Sequence, residues 1–176
     1  MLRSTHPSII KVDNSSKTVW KSESLVENPL QWNSVVTGFL LKDQNGNIHK
    51  IGNYAGYIAK FNTKGKLMYA KEIIQNDQSL KFLRIDGLDH TALRVDTQKL
   101  QYAVADGFIK DGKIYLLTQF YGENNEQLID IYDTINGDYL YSIKLDKSVR
   151  TITALPDNKF AGGMKDKVII WEISEN

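Results

Sequence analysis

The run Leu128-Ile-Asp-Ile-Tyr-Asp-Thr-Ile-Asn-Gly-Asp-Tyr-Leu-Tyr141 has the pattern of a strand, a polar turn and a second strand. The same pattern recurs in Ile9-Ile-Lys-Val-Asp-Asn-Ser-Ser-Lys-Thr-Val-Trp20 and in Tyr57-Ile-Ala-Lys-Phe-Asn-Thr-Lys-Gly-Lys-Leu-Met-Tyr69. A fourth copy, Val168-Ile-Ile-Trp-Glu-Ile173, supplies the first strand alone. A hairpin that recurs along a chain indicates repeat architecture.

The spacing of these copies is that of propeller blades. With Val12, Phe61, Tyr132 and Trp171 aligned, the steps between copies are 49, 71 and 39 residues. A four-stranded blade takes about 40–50 residues, so each outer step fits one blade. The middle step fits one blade with an insertion, which we expect near Ile74 to Leu100. The sequence therefore predicts an all-β, β-propeller-like repeat of antiparallel four-stranded blades, with about three to four blades in this chain.

Turn dipeptides divide the chain into short strands, and we count roughly fifteen of them and no clear helix. Asn45-Gly46, Asp111-Gly112 and Asn136-Gly137 each separate two β-rich runs, and they tolerate the positive φ of tight hairpins. The ambiguous region is Asp77 to Ala105, where apolar residues can also be placed on one helical face. We favour two short strands and a loop there, because Asp86-Gly87 is a turn signal.

Composition limits the classes of protein that fit. The chain has 176 residues, enough for a single propeller-like domain over 1–176 or for part of a larger propeller. A net charge of +1 argues against a nucleic-acid partner. The absence of cysteine excludes disulfides and thiolate metal sites, and no apolar run is long enough to span a membrane as a helix. The start of the chain lacks the apolar core of a signal peptide, so we expect a cytoplasmic protein or a chain that begins inside a longer one.

The first and last copies of the repeat are incomplete, and an open arc of blades leaves sheet edges bare. Three arrangements fit this pattern, and we favour them in the order given. The chain is the C-terminal part of a larger propeller whose N-terminal blades are missing here, or it closes as a small four-bladed ring, or two chains complete each other as a homodimer.

A segment in the second half of the chain resembles a known family. The runs Gly107-Phe-Ile-Lys-Asp-Gly-Lys-Ile-Tyr-Leu-Leu-Thr118, Gly122-Glu-Asn-Asn125 and Ile129 to Asp146 are similar to the TolB-like six-bladed β-propeller proteins of bacteria. The resemblance covers about residues 50–175 and implies that this chain corresponds to the C-terminal part of such a propeller. It implies a location in the cell envelope or periplasm, although the chain has no lipobox cysteine and no signal peptide. It transfers no active-site residue.

Two groups of residues are candidates for a site. Asp86, Asp89 and His90 in the predicted insertion are candidates for an acid-base set, because loops carry function more often than core strands do, although such a stretch is more often a polar loop that makes local turns. Asp43-Gln-Asn-Gly-Asn47 resembles the start of a calcium loop, but an EF-hand needs glycine at its sixth position and glutamate at its twelfth. We interpret this second stretch as a type I′ hairpin turn, and we expect no metal site and no cofactor.

Aromatic residues offer a second kind of site. Tyr54, Tyr57, Phe120 and Tyr121 can form a platform for a sugar or a peptide, although strand alternation assigns most such residues to packing. Because no catalytic constellation accompanies the repeat, the sequence favours a non-catalytic binding or scaffolding module whose partner is a peptide, a glycan or a protein. The alternatives are a hydrolase or lyase that uses acidic residues and a histidine at the channel, and a purely structural segment completed by another chain.

Overall fold

The fold comes from a computed structural model, which describes residues 9–22, 37–54, 56–74, 82–86, 91–95, 103–121 and 127–173, with backbone alone for 82–86, 91–95 and 119–121. Every regular element in these ranges is a β-strand. In chain order the strands are β1 Ile10–Val12, β2 Thr18–Lys21, β3 Gly38–Lys42, β4 Ile48–Gly52, β5 Tyr57–Phe61, β6 Leu67–Glu72, β7 Phe82–Asp86, β8 Thr91–Val95, β9 Val104–Lys110, β10 Lys113–Tyr121, β11 Gln127–Asp133, β12 Tyr139–Lys144, β13 Thr151–Ala154, β14 Lys159–Gly163 and β15 Val168–Glu172.

The strands form antiparallel sheets, each continuous in sequence. Two sheets have four strands, β3 to β6 and β9 to β12, and the strands β13 to β15 form a three-stranded sheet. β1 with β2 and β7 with β8 form two separate hairpins. The all-β prediction and the blade-like unit of four antiparallel strands are confirmed. The hairpin β7–β8 lies within Ile74 to Leu100, where the spacing predicted an insertion, and its ten residues are strand rather than helix.

Three of the four aligned residues fall at equivalent places in successive sheets, whereas Val12 lies on β1 of a separate hairpin. Phe61, Tyr132 and Trp171 lie on β5, β11 and β15, which are the third strands of their sheets. The first strands also neighbour one another, because β9 lies beside both β3 and β13. Sheets related in this way fit the radial repetition of a propeller.

Strand alternation explains how one sheet serves two cores. On β10, Ile114 and Leu116 point into the core shared with the β3–β6 sheet, whereas Tyr115 and Leu117 point into the core shared with the β13–β15 sheet. All four side chains are at least 96% buried. Successive strand residues point to opposite faces, so a sheet covered on both faces needs apolar residues at consecutive positions.

A third core joins the hairpin β1–β2 to the β3–β6 sheet. Ile9 packs there with Tyr57, Ala59 and Phe61, and the half-buried Trp20 packs against them. The Trp20 indole also lies across the turn after β5. A Cβ atom added at Gly65 in that turn would be 2.7 Å from the indole. The hairpin is thereby held on the face of the sheet that does not meet the β9–β12 sheet.

Polar contacts link the first strands of neighbouring sheets. The carboxylate of Asp106 on β9 accepts hydrogen bonds from the backbone N–H of Ile152 at 2.9 Å and from the hydroxyl of Thr151, both on β13. Asp106 also accepts from the N–H of Gly107 at 2.9 Å. A carboxylate that accepts from the next sheet fixes the two sheets in one register, which apolar packing alone does not do.

Candidate functional site

The structure places only part of the predicted acid-base set. Asp86 is the last residue of β7 and pairs with Thr91 at the start of β8. Asp89 and His90 fall between these strands and lie outside the described residues. The side chain of Asp86 lies outside them as well, so a site at this hairpin remains a prediction.

The four aromatic candidates have different environments. Tyr57 is 9% exposed and packs in the core beneath the hairpin β1–β2. Its ring lies so close to Gly52 that a Cβ there would be 2.3 Å from Cε1 of the ring. Tyr54 is half-buried in the segment after β4, and the side chains of Phe120 and Tyr121 lie outside the described residues. Tyr57 therefore offers little surface to a ligand, and the platform of four remains a prediction.

The turn that resembled a calcium loop is held by its own first residue. One oxygen of the Asp43 carboxylate accepts from the backbone N–H groups of Asn45 and Asn47, each at 2.9 Å, and the other accepts from the Asn47 side-chain amide at 2.9 Å. Within the part of the chain that the structure describes, no group of three or more acidic, histidine or cysteine residues is arranged to hold a metal ion.

The predicted type I′ geometry of this turn is wrong. A type I′ turn needs positive φ at both central residues, but Gly46 has φ of 79° and Asn45 does not have positive φ. The N–H of Gly46 donates to the carbonyl of Asp43 at 3.0 Å, which is the pattern of a type I turn followed by one left-handed residue. The Asp43 carboxylate explains this difference, because it accepts hydrogen bonds from the N–H groups of the loop and so stabilises the longer turn.

His49, on β4, lies directly above this carboxylate. Its imidazole is fully buried, with Nε2 3.2 Å from Oδ2 of Asp43 and Nδ1 3.4 Å from the hydroxyl of Tyr69. Burial lowers the pKa of His49 below its ordinary value, and the hydrogen bond with Asp43 only partly opposes this. Burial alone would raise the pKa of Asp43, but the hydrogen bonds from Asn47 and His49 outweigh it and the net effect is a lowered pKa. The pair is therefore a neutral imidazole that donates to a carboxylate.

The same cluster reaches across to the next sheet. Lys60 on β5 donates to the carbonyl of Thr134 at 2.8 Å, and the hydroxyl of Tyr69 lies 3.4 Å from the same oxygen. Nearby, Lys71 forms an ion pair with Asp138. We refer to Asp43, His49, Lys60, Tyr69 and Thr134 as the polar link, since they join the β3–β6 sheet to the turn after β11.

The polar link resembles acid-base machinery in its residue types but not in its access to solvent. An Asp–His–Tyr series can relay a proton when a substrate reaches one end of it. Here the histidine is fully buried and the tyrosine is tied to a backbone carbonyl. Local sequence reasoning missed the set because Asp43 and His49 lie on opposite sides of a turn. The available signal was the hairpin itself, which brings residues six apart onto one face.

A cavity of about 430 Å³ lies between the hairpin β1–β2 and the β3–β6 sheet. We call it the hairpin cavity. Most of its lining is apolar, and the residues that line it are Ile9, Ile10, Lys11, Trp20, Leu40, Lys42, Gly46, Ile48 and Thr63. Its volume falls in the range of roughly 300–1,000 Å³ typical of sites for small molecules. Of the residues considered as site candidates in the sequence, Gly46 of the Asp43 to Asn47 turn lines it, whereas the acid-base set and the four aromatic residues do not.

A smaller cavity of about 150 Å³ adjoins the polar link, and its charged lining residues are Lys42, Asp43, Lys60, Lys110 and Asp111. Two of the three lysines are structural ties, because Lys110 donates to the carbonyl of Leu155 at 2.6 Å and Lys60 donates to the carbonyl of Thr134. Charges of both signs line the space, so it does not favour a ligand of either sign.

No family model and no curated protein matches the sequence. Among solved structures, the chain is similar to the crystal structure of the computationally designed Ika4 protein, with 16% identity, a TM-score of 0.36, and coverage of 77% of this chain and 89% of that one. In the described ranges no helix is long and apolar enough to cross a membrane.

Proposed function

We propose that the chain is a non-catalytic binding or scaffolding module of the propeller type. The observation that carries this proposal is a contrast between two places. The described histidine is fully buried within the polar link, whereas the hairpin cavity of about 430 Å³ has a mostly apolar lining and lies between two elements. Ligand sites are mostly apolar and concave with a few polar groups, and the hairpin cavity has that character.

Two buried acidic groups, Asp43 and Asp130, and the half-buried Asp106 support the same interpretation. Asp43 caps a turn, Asp106 ties β9 to β13, and Asp130 accepts from the hydroxyl of Ser142. Each of these carboxyl groups has at least one oxygen bonded to another part of the chain, whereas a catalytic carboxylate must face a substrate. The resemblance to the TolB-like family supports a place for the module in a larger bacterial propeller of the cell envelope. A repeat without a catalytic constellation in its sequence supports a peptide, a glycan or a protein as its partner.

The competing proposal is a hydrolase or lyase that uses Asp86, Asp89 and His90. It draws on one observation, which is that β7 and β8 form a hairpin outside the four-stranded unit. A segment added to a repeat at one place is where a new activity is most easily built.

A turnover assay separates the two proposals. The full chain is offered chromogenic esters, phosphate esters and glycosides, and product is measured for the wild type and for His90→Ala. The binding-module proposal predicts no turnover above that of buffer. Turnover that His90→Ala abolishes, with an unchanged circular dichroism spectrum and melting temperature, would overturn the proposal in favour of the enzyme.

A further inference from the structure

We propose that the hairpin cavity binds a small amphipathic anion, meaning a molecule with an apolar chain or ring and one carboxylate. This inference rests on the proposed binding function and adds the place and the chemical class of the ligand. The cavity lies where two separate elements meet, so its walls are set by the fold rather than by one loop.

The apolar part of the ligand is specified by the walls. Ile9, Trp20 and Ile48 are buried or half-buried at the junction of the hairpin and the sheet. Ile10 and Leu40 stand on the two sides and expose 51% and 50% of their surface. An apolar ligand between them removes this surface from water, which is the main favourable term in such binding.

The charge of the ligand is specified by two lysines. Lys11 on β1 and Lys42 on β3 both line the cavity and both are exposed. No carboxylate lines it, and in the described ranges no acidic group lies within ion-pair distance of either lysine. Asp43 follows Lys42 in sequence, but its carboxylate is turned into the polar link. Two cations beside an apolar space, without a counter-charge, complement an anionic head group.

Trp20 provides a second, independent observation that indicates a ligand site at the hairpin. Its indole N–H is buried and has no acceptor among the described residues. Buried donors nearly always find a partner, and an exception calls for an explanation. Trp20 lines the hairpin cavity, so a ligand bound there lies beside the residue that carries this unpartnered donor.

The test is calorimetric titration of the full chain with three ligands of equal length: octanoate, octan-1-ol and octylammonium. We expect octanoate to bind most tightly, octanol more weakly and octylammonium weakest. The octanoate affinity should fall as salt is raised from 50 to 500 mM, because salt screens exposed charges, while the octanol affinity should not. Equal binding of all three ligands, or no binding of octanoate, would overturn the inference.

Matched variants locate the site. Lys42→Gln alone should weaken octanoate about two- to fivefold, the range for one exposed ion pair, and leave octanol unchanged. Lys11→Gln with Lys42→Gln should bring octanoate to the octanol affinity. The control pair, Lys147→Gln with Lys165→Gln, replaces two exposed lysines of other sheets and should change nothing.

Filling the cavity is the complementary experiment. Leu40→Trp should abolish octanoate binding, whereas Ile170→Trp, at an exposed site on β15, should leave it intact. If Leu40→Trp does not fold, Ile10→Trp fills the space from the other side. Light scattering completes the test, because a molar mass of two chains that falls to one in Leu40→Trp would mean that a second copy occupies the cavity, and the inference would be wrong.

The outcomes for the two proposals remain distinct. If octanoate does not bind, the proposal that the ligand is an amphipathic anion is wrong, but the proposal of a binding module with another ligand stands. If turnover depends on His90, the proposal of a non-catalytic function is wrong, but the result of the octanoate titration is unaffected.

Discussion

Gln127 and Val149 exchange two hydrogen bonds as if they were neighbours in a sheet. The Gln127 side-chain oxygen accepts from the N–H of Val149 at 2.8 Å, and its amide donates to the Val149 carbonyl at 3.1 Å. Both residues are more than 90% buried. The side chain thereby satisfies the backbone of the segment between β12 and β13, where no strand can do so.

Gln127→Leu tests this role, because leucine fills similar space without the amide. It leaves the N–H and carbonyl of Val149 buried without partners, and each such group costs about 1–3 kcal/mol. We expect the free energy of unfolding in urea to fall by about 2–4 kcal/mol. Thr153→Ala, at an exposed position on β13, is the control and should change it by less than about 0.5 kcal/mol. A loss no larger than that of the control would contradict this role.

Lys60→Met tests the polar link. Methionine keeps most of the apolar stem but removes the donor to the Thr134 carbonyl, to which Tyr69 then makes the remaining, longer contact. It also removes the ammonium group that lies 3.7 Å from the carboxylate of Asp43. We expect a loss of about 1.5–3 kcal/mol in the free energy of unfolding, the typical range for a hydrogen bond to a charged group. Lys64→Met, an exposed lysine in the turn that follows β5, provides the comparison. Equal stability of the two variants would mean that the link contributes nothing.

His49 makes stability depend on pH. Burial lowers its pKa in the folded chain below the ordinary 6.5, so the unfolded chain takes up the proton first as pH falls. The contribution of His49 to the free energy of unfolding is therefore fully present above pH 6.5 and is lost as the pH falls through the folded pKa. The free energy of unfolding changes over this range by at most about 1.4 kcal/mol per pH unit. Urea unfolding between pH 8 and 5 measures the slope, which His49→Gln should reduce. The same substitution at His6 is the control, and an equal slope in His49→Gln would refute the assignment.

Asp130 should act in the opposite direction. Burial raises its pKa, although the hydrogen bond from Ser142 opposes the shift, and Oδ2 has no partner among the described residues. Its contribution to stability is present below pH 3.8 and is lost as the pH rises through the folded pKa. Asparagine cannot ionise. The free energy of unfolding of Asp130→Asn, relative to that of the wild type, should therefore be higher at pH 7 than at pH 4. The same difference in unfolding free energy at both pH values would show that the carboxyl is not perturbed.

The sequence predicted the strands well because their signals are local. Asp111 and Gly112 both adopt positive φ, as an Asp-Gly turn between two apolar runs requires, and the strands on either side pair as expected. The turn at Asn45-Gly46 looked equivalent, but the carboxylate two residues earlier selected another geometry. A dipeptide alone does not contain that information.

The candidate site was harder to predict because its contacts are not local. The hydrogen bond from Lys60 to Thr134 spans 74 residues of sequence, and the hairpin cavity depends on how β1–β2 rests on another sheet. Neither relationship leaves a period or a spacing in the sequence. Asp86, Asp89 and His90 were chosen for their chemistry in a loop, and that prediction still awaits the turnover assay.

The division of the chain into sheets that are each continuous in sequence has a consequence for how it can be cut and rejoined. A break between the exposed Lys147 and Ser148 severs no strand ladder, because β9–β12 ends before it and β13–β15 begins after it. The contacts that Gln127 and Asp106 make with the later segment are noncovalent and survive the break. Two separately made fragments, 1–147 and 148–176, should therefore reassemble when mixed, which would make this junction a natural place for a split reporter.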